Sequence, residues 1–555
     1  MPDRPLVPQP LVRGSHGAVV APHHLATAAG LAILRAGGHA VDAAIATNAV
    51  LGVVLPSGCG LGGDAFWLVW DEAPGVQTAL NGSGRAPAAA NPAALRAGGL
   101  KTLPYRGPLT ITVPGAVRSW ADAHARLGRL SLGDVLAPAI QLAWDGFPAW
   151  DGFISAVEKT LPGVVEALGN RSGFEQVYRY HGRPWRPGER VRLPALASTL
   201  ERLADAGLDD FYDGDLGERQ ARGLSLVGSA ISVDDLRAHT STWTRPIATD
   251  YRGVRVTTHP PNSSGIVALE LLNILETFEP PAAGAFGPSG VEDSRWVHLG
   301  IEAAKLAMAD RDAWLTDPEF LDIPVERLLS KAHAGEMAAT INPARAARPP
   351  AATNPRGGGT IYLATVDGEG NAVSLIESNY MGFGSGVVDP ETGIHYQNRG
   401  SYFSLDASHP NVLAPHKRTL HTLLPGMLFR SGERRPWIVT GQMGGDAQPQ
   451  VYAQVVSALV DGAVDVATAV GAPRWFVDGH EHFAPPVDVR AERRYPAAVL
   501  DELEALGHPV TRTIPFNGSL GHAHAIELVD GGPAAPDGSL AAATDPRSAG
   551  LPAVW

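Results

Sequence analysis

Three glycines, Gly357-Gly358-Gly359, close a stretch without periodicity and open directly onto Thr360 and a β-hairpin, and no other feature of the chain restricts its fold so tightly. Ile361 to Val366 is rich in β-branched and aromatic residues, Asp367-Gly368-Glu369-Gly370 tolerates positive φ, and Ala372 to Ile376 resumes an apolar run. Two strands meeting at a tight turn are predicted, with Thr360 at the first position of a strand entering a core. From Asn342 to Gly359 (NPARAARPPAATNPRGGG) the composition shifts to Pro, Ala, Arg and Gly, which reads as a linker.

A threonine hydroxyl is a poor nucleophile until a base takes its proton, and the α-amino group of the same residue can be that base once the chain is cut before it. An amine with an unperturbed pKa of roughly 7.7 to 8.0 is partly unprotonated near neutrality. Gly359 has no side chain to shield its carbonyl from the Thr360 hydroxyl, and the glycines let the backbone take strained geometry. Self-cleavage between Gly359 and Thr360 is therefore chemically feasible. A flexible linker leading into an ordinary strand has the same appearance.

A chain of 555 residues with 45% hydrophobic and 18% charged residues can bury a large core and has room for two or three domains. Its net charge of -13, without a sustained Lys/Arg cluster, argues against nucleic acid or an anionic membrane and for a small-molecule partner. Cys59 is the single cysteine, which excludes an intramolecular disulfide framework. The first residues lack a basic region followed by an apolar one, and no apolar run reaches membrane-spanning length, so a cytoplasmic protein is expected.

Residues 23 to 55 read as helix interrupted at Gly37-Gly38. Gly58-Cys59-Gly60-Leu61-Gly62-Gly63 formally satisfies a dinucleotide-binding pattern, but a helix precedes it and the strand Ala65 to Trp70 follows. That reverses the order such a site needs, so a close-packed helix-to-strand turn is preferred and no cofactor is expected. Gln77 to Leu80 and Arg252 to Thr258 read as strands, and residues 115 to 345 are mainly helical scaffold. Pro260-Pro261-Asn262-Ser263-Ser264-Gly265 reads as a helix cap with the capacity to bind an anion. His480-Glu481-His482 and His522-Ala523-His524 place histidines on one strand face, but no third ligand is implied and no metal is expected.

The runs GGGTIYLATVDGEGNAV, SNYMGFGSG, TGQMGGDAQPQ and APRW, with GGHAVDAAIATNAVLGVVLPSGCGLGGDAF, VPGAV, PPNSSG, EAAKLAMADRD and TDPRS, together resemble the γ-glutamyltransferases, a family of N-terminal-nucleophile hydrolases. The likeness runs from about Gly14 to the last residues in the family's order. It implies an α+β fold, an αββα four-layer sandwich. It also implies a precursor cut into a large subunit, 1–359, and a small subunit, 360–555, that stay together as a heterodimer. The resemblance makes Thr360 the nucleophile, Ser378 (where threonine is usual) its assisting hydroxyl, and Gly444 and Gly445 the oxyanion donors. An arginine gripping the donor's carboxylate falls on Arg85, although strict spacing points to Ser83.

Departures from the family pattern are more informative. Tyr380 stands where asparagine is usual. Arg399 and Tyr402 replace the glutamine and aspartate that hold the donor's ammonium, and His421 and Thr422 replace paired serines. A cation at 399 repels an ammonium and attracts a carboxylate. The segment from Phe403 to Leu420 is short, which favours an open site. The expected activity is hydrolysis, in preference to transfer, of γ-glutamyl or glutaryl-type amides through an acyl-threonine. The alternatives are a cephalosporin acylase of glutaryl type, or an uncleaved pseudoenzyme or binding protein of the same fold.

Overall fold

The structure, a computed structural model, describes residues 10–179, 181–347, 359–478 and 488–555. His480, Glu481 and His482 and most of the linker lie outside the described residues. Fourteen strands build the two main sheets: β1 (Val12–Gly14), β2 (Ala18–Val20), β3 (Asp64–Asp71), β4 (Val76–Gly82), β5 (Thr242–Thr244), β6 (Ile247–Tyr251), β7 (Val254–Thr258), β8 (Gly359–Val366), β9 (Ala372–Tyr380), β10 (Pro425–Arg430), β11 (Ile438–Met443), β12 (His522–Val529), β13 (Ser539–Thr544) and β14 (Ala553–Val554). The first sheet runs β14-β2-β8-β9-β3-β4-β5 and the second β1-β13-β12-β11-β10-β7-β6, antiparallel throughout.

Alternation along the strands fixes the layers. Ile361 and Leu363 of β8 join Val373, Leu375, Trp67 and Val69 in one core with the helices α1 (His24–Arg35), α2 (Ala40–Val54) and α3 (Leu132–Asp145). Tyr362, Ala364, Ile376, Phe66 and Leu68 face the other way and meet Met427, Val439, Ile526 and Leu540 of the second sheet. The far face of that sheet, through Val256, Leu428 and Ile438, packs on α4 (Gly265–Glu276), α5 (Ser294–Trp314) and α6 (Gln448–Val460). Helix, sheet, sheet, helix is the expected four-layer sandwich.

The hairpin forms as predicted, with Gly370 at φ 90° in its turn. Strands from both sides of position 360 interleave in the first sheet, where β2 pairs with β8 and β3 with β9. Two fragments cut at Gly359–Thr360 therefore cannot part without opening the sheet. The linker's first residues are also tied to both sides, since Ala346 N–H donates to Leu506 O (2.8 Å) and Ala347 N–H to Glu302 Oε2 (3.0 Å).

The glycine-rich turn joins helix α2 to strand β3, as expected, and none of its glycines needs positive φ. What they provide is proximity. A Cβ on Gly63 would stand 2.7 Å from Glu377 Oε1, one on Gly58 3.3 Å from Thr360 O, and one on Gly62 would overlap the His395 carbonyl oxygen. Because that oxygen belongs to backbone, Gly62→Ala is expected to destabilise the protein by about 2–3 kcal/mol, read as a fall in chemical-denaturation midpoint. An unchanged midpoint would show that the turn yields.

Candidate active site

The site lies at one end of the space between the sheets. Thr360, Ser378 and Asp64 pair directly across β8, β9 and β3, and share the face of Tyr362, Ile376 and Phe66 that looks at the second sheet. From that sheet, β10 starts at Pro425 opposite Gly441 near the end of β11, so His421-Thr422 and Gly444-Gly445 arrive at the same end. A short helix, Arg399–Tyr402, completes the enclosure.

Thr360 is buried, and its Oγ1 lies 2.8 Å from Ser378 Oγ. Ser378 Oγ donates to Gly359 O (2.8 Å) and accepts the Tyr380 N–H (2.7 Å). A hydroxyl has one hydrogen, so with Ser378 donating to the Gly359 carbonyl, the hydrogen between the two hydroxyls belongs to Thr360. One serine is therefore placed to polarise the Gly359 carbonyl while accepting the Thr360 hydrogen, the arrangement that attack of Thr360 on that carbonyl would use. The strand register breaks between Gly359 and Thr360, and a Cβ at Gly359 would overlap Ser57 O, so only glycine fits before the nucleophile. Ser378→Ala is expected to slow self-cleavage on the order of 100-fold. The measurement is the rate at which two bands replace one on a denaturing gel, and a wild-type rate would remove Ser378 from the chemistry.

Gly444 and Gly445 follow β11 with φ of 147° and 59°, values that side chains rarely allow. With the Gln448 amide turned as its neighbours require, its nitrogen donates to Thr422 O (2.8 Å) and its oxygen accepts the Gly445 N–H at 3.3 Å. That last bond is long and easily exchanged for a stronger acceptor.

Arg399 is fully buried. Nη1 donates to Thr422 Oγ1 (3.3 Å), while Nε and Nη2 have no hydrogen-bond partner among the described residues. Its guanidinium carbon lies 4.2 Å from the Tyr380 ring centre and 5.7 Å from that of Tyr402. Tyr380 has φ of 72°, a left-handed conformation that asparagine tolerates and tyrosine resists, so the chain carries strain on the order of 1 kcal/mol to keep this ring against Arg399. Tyr402 OH donates to Asp446 Oδ1 (2.6 Å), which also receives Arg311 Nη1 (2.6 Å).

The remaining expectations fare differently. The Arg85 guanidinium is paired with Glu319 (2.7 Å) and Asp317 (3.5 Å) and bonds His416 O, while Ser83 is buried with its Oγ on Asn81 Oδ1 (2.7 Å). The Ser263-Ser264 cap holds in part: Ser263 Oγ accepts the N–H of Gly265 at the start of α4 (3.1 Å), while Ser264 makes no side-chain bond to the helix, and the two hydroxyls donate to Leu423 O (2.6 Å) and His421 O (2.8 Å). These serines hold the segment bearing His421 and Thr422, so their hydrogens are not turned toward an anion. His524 Nδ1 accepts the Asp545 N–H (3.1 Å) and its ring stacks on Tyr362. Burial pushes the Cys59 thiol well above its usual range, which makes it inert.

Sequence reasoning missed Asp64, Asp446 and Gln448. Asp64 had a readable signal: it heads a strand whose alternate residues Phe66 and Leu68 face the sheet interlayer, so an acid there must be buried. Gln448 had none, because its role depends on where α6 starts relative to Thr422.

A threonine following a removable glycine linker, at the head of a strand in an αββα sandwich and beside a pair of left-handed glycines, defines an N-terminal-nucleophile hydrolase. Residues 26–555 match the gamma-glutamyltranspeptidase family, and the chain belongs to it as an autoprocessing amidohydrolase. It is 39% identical to the glutathione hydrolase-like YwrD proenzyme of Bacillus subtilis, over 97% of this chain and 98% of that protein. It is also 39% identical to the oxamate amidohydrolase proenzyme of Klebsiella pneumoniae, with the same coverage. Among solved structures it resembles cephalosporin acylase from Bacillus halodurans with a TM-score of 0.88 and 37% identity, covering 100% of this chain and 99% of that one.

Proposed function

We propose that the protein hydrolyses amides whose acyl half ends in a free carboxylate, of which glutaryl amides are the type. The observation that carries this reading is Arg399, a buried cation with two donors unused among the described residues. A buried guanidinium with open donors is costly unless a ligand completes it, and a carboxylate offers the bidentate match a guanidinium favours. Arg85 is already paired, which moves the expected carboxylate grip to Arg399. Oxamate is itself an amide whose acyl half carries a carboxylate, and the name of that relative supports the same class.

After cleavage, the Thr360 amine takes the proton of its own hydroxyl, Oγ1 attacks the amide carbonyl, and the N–H groups of Gly444 and Gly445 receive the oxyanion. The protonated amine gives its hydrogen to the leaving nitrogen, and water then releases the acid from Thr360. Hydrolysis is proposed in preference to transfer. The likeness to the Bacillus halodurans enzyme supports a second reading, a cephalosporin acylase of glutaryl type, which uses the same acyl anchor with a bulkier leaving group. Initial rates on glutaryl- and γ-glutamyl-p-nitroanilide test the proposal. Faster glutaryl hydrolysis is expected, and a strong γ-glutamyl preference refutes the charge argument.

A further inference from the structure

Arg399 has a counter-charge in the acyl site. Asp64 stands third in the row Thr360, Ser378, Asp64. At a strand spacing of about 4.8 Å it is about 10 Å from the nucleophile, the distance spanned by a five-carbon acyl group with a hydrogen bond at its far end. Oδ1 accepts the Gly84 N–H (2.9 Å) and Oδ2 faces His421 Nε2 at 3.2 Å, both side chains being wholly buried. The other imidazole nitrogen, Nδ1, has no partner among the described residues.

The groups acting on this pair come from every side. Arg399 and Arg418 bear on Asp64, Gly115 N–H adds to Gly84, Glu377 lies on the neighbouring strand, Tyr212 adjoins, and Arg399 and His259 face His421. Of the acids near Arg399, Asp446 also meets Arg311, which Asp312 pairs as well (2.6 Å), and burial keeps the Tyr402 phenol un-ionised. Asp64 and Asp446 together balance the guanidinium, Asp64 the more strongly and from within the acyl row. Burial raises its carboxyl to about 7 and holds His421 neutral, so the pair carries one negative charge above neutrality and none below.

We propose that Asp64, through its pair with His421, is a specificity-determining residue of the acyl site: it balances Arg399 while the site is empty and is neutralised by one proton when an acyl carboxylate arrives. The proposal rests on Arg399 being the acyl anchor. The proton comes from solvent and binds His421 Nδ1, while the hydrogen on Nε2 passes to Asp64 Oδ2. The pair goes from one negative charge to none, and no other bond changes. Two carboxylates cannot share one guanidinium in a dry site without repulsion, so affinity for the acyl carboxylate falls as pH rises above 7, with proton uptake on binding. The site thereby favours singly charged acyl heads near neutral pH.

Glutarate, the acid that glutaryl amides release, is the probe, and its inhibition constant is measured on the mature protein. Wild type and Asp64→Asn are expected to bind it comparably at about pH 6, and the variant about tenfold or more tightly at about pH 8.5. The Thr360 amine titrates in both proteins and cancels from the ratio. A ratio independent of pH overturns the proposal. Should the variant fail to mature, infrared difference spectra of the wild type with glutarate at about pH 8 decide it. A new protonated-carboxyl band is expected, and its absence overturns the proposal. If glutarate binds Arg399→Gln as tightly as wild type, the anchor itself is wrong, whatever Asp64 does.

Discussion

Thr360→Ala is expected to run as one full-length chain of 58.2 kDa on a denaturing gel and to lose turnover by on the order of 10⁴-fold or more. The wild type is expected to give two bands, the smaller reading Thr-Ile-Tyr-Leu by N-terminal sequencing. One residue does both jobs. Its hydroxyl is already 2.8 Å from Ser378 Oγ, which donates to the Gly359 carbonyl in the intact chain, so the first amide it opens is its own. Thr360→Ser keeps a hydroxyl and still matures, more slowly. Active wild-type material that never yields the new N-terminus, or an alanine variant that turns over normally, removes the basis for both cleavage and catalysis. A full-length wild-type band without activity returns the pseudoenzyme reading.

Arg399→Met is expected to lower kcat/KM on a glutaryl anilide by about 100-fold, about 3 kcal/mol, while a butyryl anilide of similar length changes only a few-fold. The contrast isolates the carboxylate, because methionine keeps contact with Tyr380 and Tyr402 while removing the charge. The same substitution is expected to change thermal stability little at about pH 6, because the guanidinium with two unused donors is a burden to the empty fold and Asp64 takes up a proton once its counter-charge is gone. Arg399→Lys keeps the charge without the fork and falls between. Equal losses on both substrates, together with a lowered melting temperature, would make Arg399 a scaffold residue and undo the substrate assignment.

The β8–β9 hairpin was legible because β-branched residues, a glycine turn and a second apolar run are adjacent in the chain. The helix-to-strand turn at Gly58–Gly63 was legible for the same reason, as an order of neighbouring elements. Arg85 shows where this kind of reading stops. Its neighbourhood suggested a carboxylate grip, but Asp317 and Glu319, more than two hundred residues away, occupy its guanidinium. Ser263 caps its own helix through the Gly265 N–H, as read, but the hydrogens of Ser263 and Ser264 go to the distant carbonyls of Leu423 and His421.

What the sequence by itself determined is the family, the two-sheet sandwich, the glycine-threonine junction proposed for cleavage and the departure at Arg399, all of which depend on residues within one hairpin or on motif order. Only the tertiary structure decided which charges meet and which donors stay open. Arg399, Asp64, Asp446 and His421 come from four separate segments, and whether a guanidinium or carboxyl is paired depends on distances of a few ångströms between elements that the chain order does not fix. The proposed substrate preference rests on those charges, so it could be argued only once the two sheets were stacked and their ends aligned.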